Sequence, residues 1–91
     1  MSPRERSRDL AVAKAFGLRV QAARKDAGMT QEGLAEAAGF HATFVSNVER
    51  GYRVPTVPTL LRLAAGLGVE PSTLIDGISL TDTEAPRSPS K

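Results

Sequence analysis

Apolar residues along this chain recur at intervals of three and four, and no stretch alternates as a strand would. The first such stripe is Phe16, Val20, Ala23 and Ala27, which predicts a helix from about Asp9 to Ala27 ended by Gly28. Thr30 is a good N-cap for a second helix with Leu34, Ala35 and Ala38 inward, and Gly39 stops it. A third helix follows, with Val45 and Val48 inward and Ala42, Thr43, Ser46 and Asn47 left outside. Gly51 to Pro55 read as a loop. Thr56 caps a fourth helix, whose buried stripe is Leu60, Leu63, Ala64 and Leu67 and whose end is Gly68. Pro71 suits the first turn of a short fifth helix carrying Leu74 and Ile75. The expected fold is all-α, five helices around a single compact core.

The organisation expected from this pattern is a flexible basic arm over residues 1–8, a domain over 9–78 and a disordered tail over 79–91. The tail is polar and proline-bearing, with nothing to bury. A short helix, a tight turn at Gly39 and a second short helix with small polar groups outside make a helix-turn-helix. That arrangement presents one helix to the DNA major groove.

Ninety-one residues give one domain with a modest core, so a partner subunit could matter for stability. The chain has no cysteine, hence neither a disulfide scaffold nor a thiolate metal site, and a reducing cytoplasm is the expected compartment. The apolar-looking start at Leu10 is broken by Lys14 and is too short to span a bilayer. It also lacks the form of a signal peptide. The net charge of +2 says little about nucleic acid, because the excess lies in Arg4, Arg6 and Arg8 and the span from Asp9 to Ile78 is balanced. Placement of charge must carry the argument.

A set of residues at fixed spacing resembles the phage-repressor-like (Cro/C1, or XRE) helix-turn-helix family. It comprises Arg24 before Gly28, Thr30-Gln31, Leu34-Ala35 with Gly39, and Ser46 with Glu49-Arg50-Gly51. Pro55-Thr56, Leu60, Leu63-Ala64 and Leu67-Gly68-Val69 continue it, so the likeness covers Phe16 to Ile78. It implies a lambda-repressor-like domain that regulates transcription by binding a near-palindromic operator of double-stranded DNA as a homodimer. The base readers implied are Ala42, Thr43, Ser46 and Asn47. Asn pairs bidentately with adenine, Thr bonds a base edge or presses on a thymine methyl, and Ala makes only the apolar contact. Ala42 departs from the longer side chain of many relatives.

Gln31 is the backbone contact implied at the start of the second helix, where free N–H groups favour an anion. His41, Arg50, Tyr52 and Arg53 are further candidates for the backbone, with Arg19 and Lys25 weaker ones. The resemblance also implies that Arg24 pairs with Glu49 to tie the first helix to the reading helix. The expected dimer surface is Leu67, Val69, Leu74, Ile75 and Ile78, some of them shared with the core. No cofactor is implied, and a lone histidine without a second ligand supports no metal site. His41 with Thr43 to Ser46 and Glu49-Arg50-Gly51 is similar to controller proteins of restriction–modification systems. No sensing domain is visible, so control is expected from protein concentration or a partner protein, and activation would require a surface that touches RNA polymerase. The competing reading is an antitoxin or other interaction module with secondary DNA binding. An enzyme is not expected, because no nucleophile elbow, phosphate loop or paired catalytic carboxylates are present.

Overall fold

The computed structural model describes residues 2–80, which form helices and turns without a strand. The order is α1 (Pro3–Asp26), α2 (Gln31–Ala38), α3 (Ala42–Glu49), α4 (Val57–Leu67) and α5 (Pro71–Ile75). The caps foreseen at Thr30 and Thr56 are made, their hydroxyls accepting from the Gly33 and Thr59 N–H groups at 2.9 and 3.2 Å.

Two boundaries of α1 differ from the sequence expectation. The helix starts at Pro3, not Asp9, so residues 3–8 of the stretch read as an arm are helical. Ser2 and Glu5 form a reciprocal capping box: the Ser2 hydroxyl accepts the Glu5 N–H, and the Glu5 carboxylate accepts the Ser2 N–H. Capping chemistry started the helix where the apolar stripe gave no signal. At the other end Ala27 is the C-cap and is exposed, so it does not belong to the inner stripe. Of the tail expected to be disordered, residues 79–91, Ser79 and Leu80 are described and exposed, and 81–91 lie outside the described residues.

All five helices feed one core. Phe16 and Val20 of α1 meet Leu34, Ala35 and Ala38 of α2, Val45 and Val48 of α3, Leu63, Ala64 and Leu67 of α4, and Leu74 of α5. Helices of eight residues, as α2 and α3 are, have no lasting stability alone in water, so this shared burial holds them. Leu74 is fully buried and Leu67 nearly so. Both close the monomer's core and are unavailable for an interface, which corrects part of the expected dimer surface. Val69 and Ile78 are half-buried against that core, and Ile75 is exposed.

Backbone contact between α1 and the end of α3 fixes their crossing. A Cβ on Gly17 would lie 2.2 Å from the Val48 carbonyl oxygen and 2.7 Å from that of Glu49. Just beyond α3, Gly51 combines φ of +78° with a site where a Cβ would stand 2.7 Å from the Lys14 Cα. Arg19, a weak candidate for DNA, instead donates to the carbonyl oxygens of Thr73 and Asp76 and ties α1 to the end of α5. Among the described residues no helix is long and apolar enough to cross a membrane.

Candidate nucleic-acid interface

The turn that joins α2 to α3 passes through Gly39, at φ +82°, and the Phe40 N–H returns to the Ala35 carbonyl at 2.8 Å. Reversal this tight sets α3 across α2 and leaves one side of α3 in solvent. His41 is the N-cap of α3, exposed, and its side chain makes no capping bond. Thr43 is exposed, and Ser46 and Asn47 are half-exposed. Among the described residues the side chains of His41, Thr43, Ser46 and Asn47 have no hydrogen-bond partner. Their donors and acceptors therefore point to solvent, free to meet another molecule. Ala42, half-buried as Ser46 and Asn47 are, packs its methyl against the core and has no polar edge to offer.

The opposite side of α3 is braced by a polar network. Arg24 donates from Nε to Glu49 Oε2 at 2.6 Å and from Nη2 to Glu49 Oε1 at 3.1 Å. Its Nη1 donates to the Met29 carbonyl at 2.9 Å. Gln31 Nε2 adds a third donor to the carboxylate, 3.0 Å from Oε1. The Glu49 side chain is only 2 % exposed and that of Arg24 11 %, and no buried side-chain polar atom among the described residues lacks a partner. The hydrogen bond to the Glu49 carboxylate holds the Arg24 guanidinium above its ordinary pKa, against the opposing effect of its burial. One cluster thus joins the end of α1, the α1–α2 turn, the start of α2 and the end of α3. Gln31, expected as a backbone contact, gives one of its two amide protons to this brace. The sequence carried no sign of that bond.

Cations lie around α3 on aromatic rings. The Arg50 guanidinium is 5.8 Å from the ring centre of Tyr52, and both residues are exposed just after α3. Arg53 lies 5.4 Å from the Phe44 ring centre, and Arg62 of α4 lies 5.8 Å from that of Phe40. The Phe40 and Phe44 rings are themselves 4.6 Å apart, tilted by 32°. Sequence reasoning gave Arg62 no role and did not connect it with either ring. His41 has no metal-binding company, since no group of three His, Cys, Asp or Glu residues is gathered among the described residues.

An apolar groove of about 180 Å³ opens elsewhere on the surface. Val12 of α1, Pro55 of the loop, Val57 and Leu60 of α4, and Ile75 and Ile78 line it. Val57 is 67 % exposed, Leu61 one turn later 49 % and Ile75 44 %.

Comparison with known proteins matches these features. A family model described as Helix-turn-helix (HTH_3) covers residues 20–74. Control protein C.BamHI of Bacillus amyloliquefaciens is 33% identical over 70 residues, spanning 76% of this chain and 86% of that protein. An uncharacterised HTH-type transcriptional regulator of Sinorhizobium fredii, y4dJ, is 48% identical over 46 residues, half of this chain and 60% of that one. Among solved structures, the restriction-modification controller protein C.AhdI of Aeromonas hydrophila superposes with a TM-score of 0.68 at 38% identity, covering 70% of this chain and 97% of that chain.

Proposed function

This chain belongs to the helix-turn-helix family of Cro/C1-type DNA-binding transcriptional regulators, and from that premise we propose that it reads a near-palindromic operator as a homodimer. The observation that carries the reading is the contrast across α3. The helix is fixed from behind by the Arg24–Glu49–Gln31 network, while Thr43, Ser46 and Asn47 present unpartnered polar edges in front. A rigid helix with open donors and acceptors is what discrimination between base edges requires. Asn47 is the candidate for adenine, Thr43 for a base edge or a thymine methyl, and Ser46 for either. Ala42 contributes shape alone. Arg50, Tyr52, Arg53 and His41 hold the phosphates, with the second amide proton of Gln31 and the start of α2 beside them.

One α3 reaches only a few base pairs, and a two-fold pair would place two in successive major grooves about 34 Å apart. Ile75 and Ile78 keep their place in the proposed dimer surface, joined by Val57 and Leu61 of α4, while Leu67 and Leu74 leave it and Val69 lies at its edge. Sedimentation equilibrium is the check: Ile75→Glu should raise the dimer dissociation constant at least tenfold, as expected for about 1.4 kcal/mol or more lost from an apolar contact. An unchanged constant would move the interface elsewhere.

The likeness to C.BamHI and C.AhdI supports a controller role in a restriction–modification system. Selection of binding sites from a random duplex pool, followed by titration at two salt concentrations, tests the whole reading. An inverted repeat with a specificity ratio above roughly 10³ is the expected outcome. Binding without an enriched repeat would overturn it.

A further inference from the structure

We propose that Phe40 and Phe44 form a platform that pre-orients Arg53 and Arg62 as paired clamps on the DNA backbone, making Arg62 of α4 a phosphate-positioning residue. Four side chains from four parts of the chain line up as guanidinium, ring, ring, guanidinium. Arg53 (5.4 Å) stands on Phe44, whose ring lies 4.6 Å from that of Phe40, and Arg62 (5.8 Å) stands on Phe40. Both distances fall within the range of cation–π attraction. Phe44 belongs to the first turn of α3, beside Thr43, so the array runs along the flank of the reading helix.

Two features make this more than packing. Neither arginine has a carboxylate partner among the described residues, whereas Arg24 has one in bidentate contact. Both are exposed, so their unspent N–H donors can face solvent while each guanidinium carbon stays within about 6 Å of its ring centre. Gathering two like charges on one aromatic pair without an internal anion is unfavourable until an external anion arrives. A planar guanidinium held in one orientation loses less freedom on meeting a phosphate than a free one does. The inference rests on the DNA-binding reading above, and it extends the protein's footprint from the α2–α3 unit to α4.

The test is titration of the selected operator and of an unrelated duplex with the full chain, across 50 to 200 mM salt. Arg62→Gln should weaken binding to both duplexes by the same factor and lower the salt slope by about 1, so its deficit shrinks about fourfold over that range. Arg62→Lys keeps the charge and should retain the slope with a smaller loss, because an ammonium lacks the guanidinium's planar fork of donors. Phe40→Leu should weaken both duplexes with the slope intact, its folding checked by thermal melting. Wild-type slope and affinity in Arg62→Gln would overturn the proposal while the DNA-binding reading stands. A loss confined to the operator would also overturn it, since that marks base reading. Wild-type affinity in Phe40→Leu would overturn the platform. Failure of the wild-type protein to bind any duplex would overturn both readings together.

Discussion

The two sides of α3 use polar residues in opposite ways. Toward α1 and α2, Glu49 sits almost fully buried and receives two donors from Arg24 and one from Gln31. Toward solvent, Asn47 and Thr43 are one turn apart and have no partner among the described residues. The buried side cannot leave a charge unpaired without a large desolvation cost. The open side can, because water satisfies it until a base does. The difference separates residues that set where the helix lies from residues that set what it meets, although Asn47 and Glu49 are only two positions apart in the sequence.

The strongest way to break that separation is Glu49→Ala. It leaves the Arg24 guanidinium and the Gln31 amide uncompensated, at an expected cost of about 3–5 kcal/mol. For a domain of this size the thermal midpoint should fall by more than about 10 °C, and operator affinity should fall with it. Retention of both would mean that the network does not position α3. Next comes Gly17→Ala. Helix propensity alone would favour alanine by about 1 kcal/mol. Here its Cβ would stand 2.2 Å from the Val48 carbonyl oxygen, so α1 and α3 must move apart. A net destabilisation of about 1–3 kcal/mol is expected in urea denaturation.

The open side should respond differently. Asn47→Ala and Thr43→Ala are expected to leave the melting curve within about 0.5 kcal/mol of wild type. Each should erase about 1–3 kcal/mol of discrimination at one base position, read by competition with single-base operator variants. Coupled losses of stability and specificity would sink the two-sided view. The smallest effect belongs to the start of α1. Glu5 has its carboxyl held below the ordinary value of 4.5, first by the bond from the Ser2 backbone N–H and then by the Ser2 side chain. Because the folded pKa is the lower one, the contribution is present above the unfolded value and fades as pH falls through the folded one. Amide exchange should show the first turn of α1 opening on acidification, with the core unaffected.

How much of this was legible depended on the kind of signal each residue carries. The inner stripes of α2, α3 and α4 were readable because burial imposes a helical period, and Leu34, Val45, Val48 and Leu63 all lie in the core. The start of α1 was misplaced because its first turns bury nothing, although the Ser2–Glu5 spacing held the capping signal. Gly17 also carried a signal that went unread, since a glycine inside a helix usually has a packing reason. The Gln31–Glu49 bond and the Arg62–Phe40 contact had no local signature. Their partners are brought together by the turn at Gly39 and by the packing of α4 on α2.

By itself, the sequence determined that five helices form, where four of them are capped or stopped, and which small polar residues stay off the core. Those are local consequences of spacing, capping and backbone freedom, each written within a few residues. Only the tertiary structure decided that Leu74 is spent wholly on the core and that Arg19 serves α5. It alone decided that Gln31 faces Glu49 and that Arg53 and Arg62 share one aromatic pair. Such choices depend on which distant surfaces meet, and a side chain of mixed character, such as arginine or glutamine, fits several partners equally well until packing removes all but one.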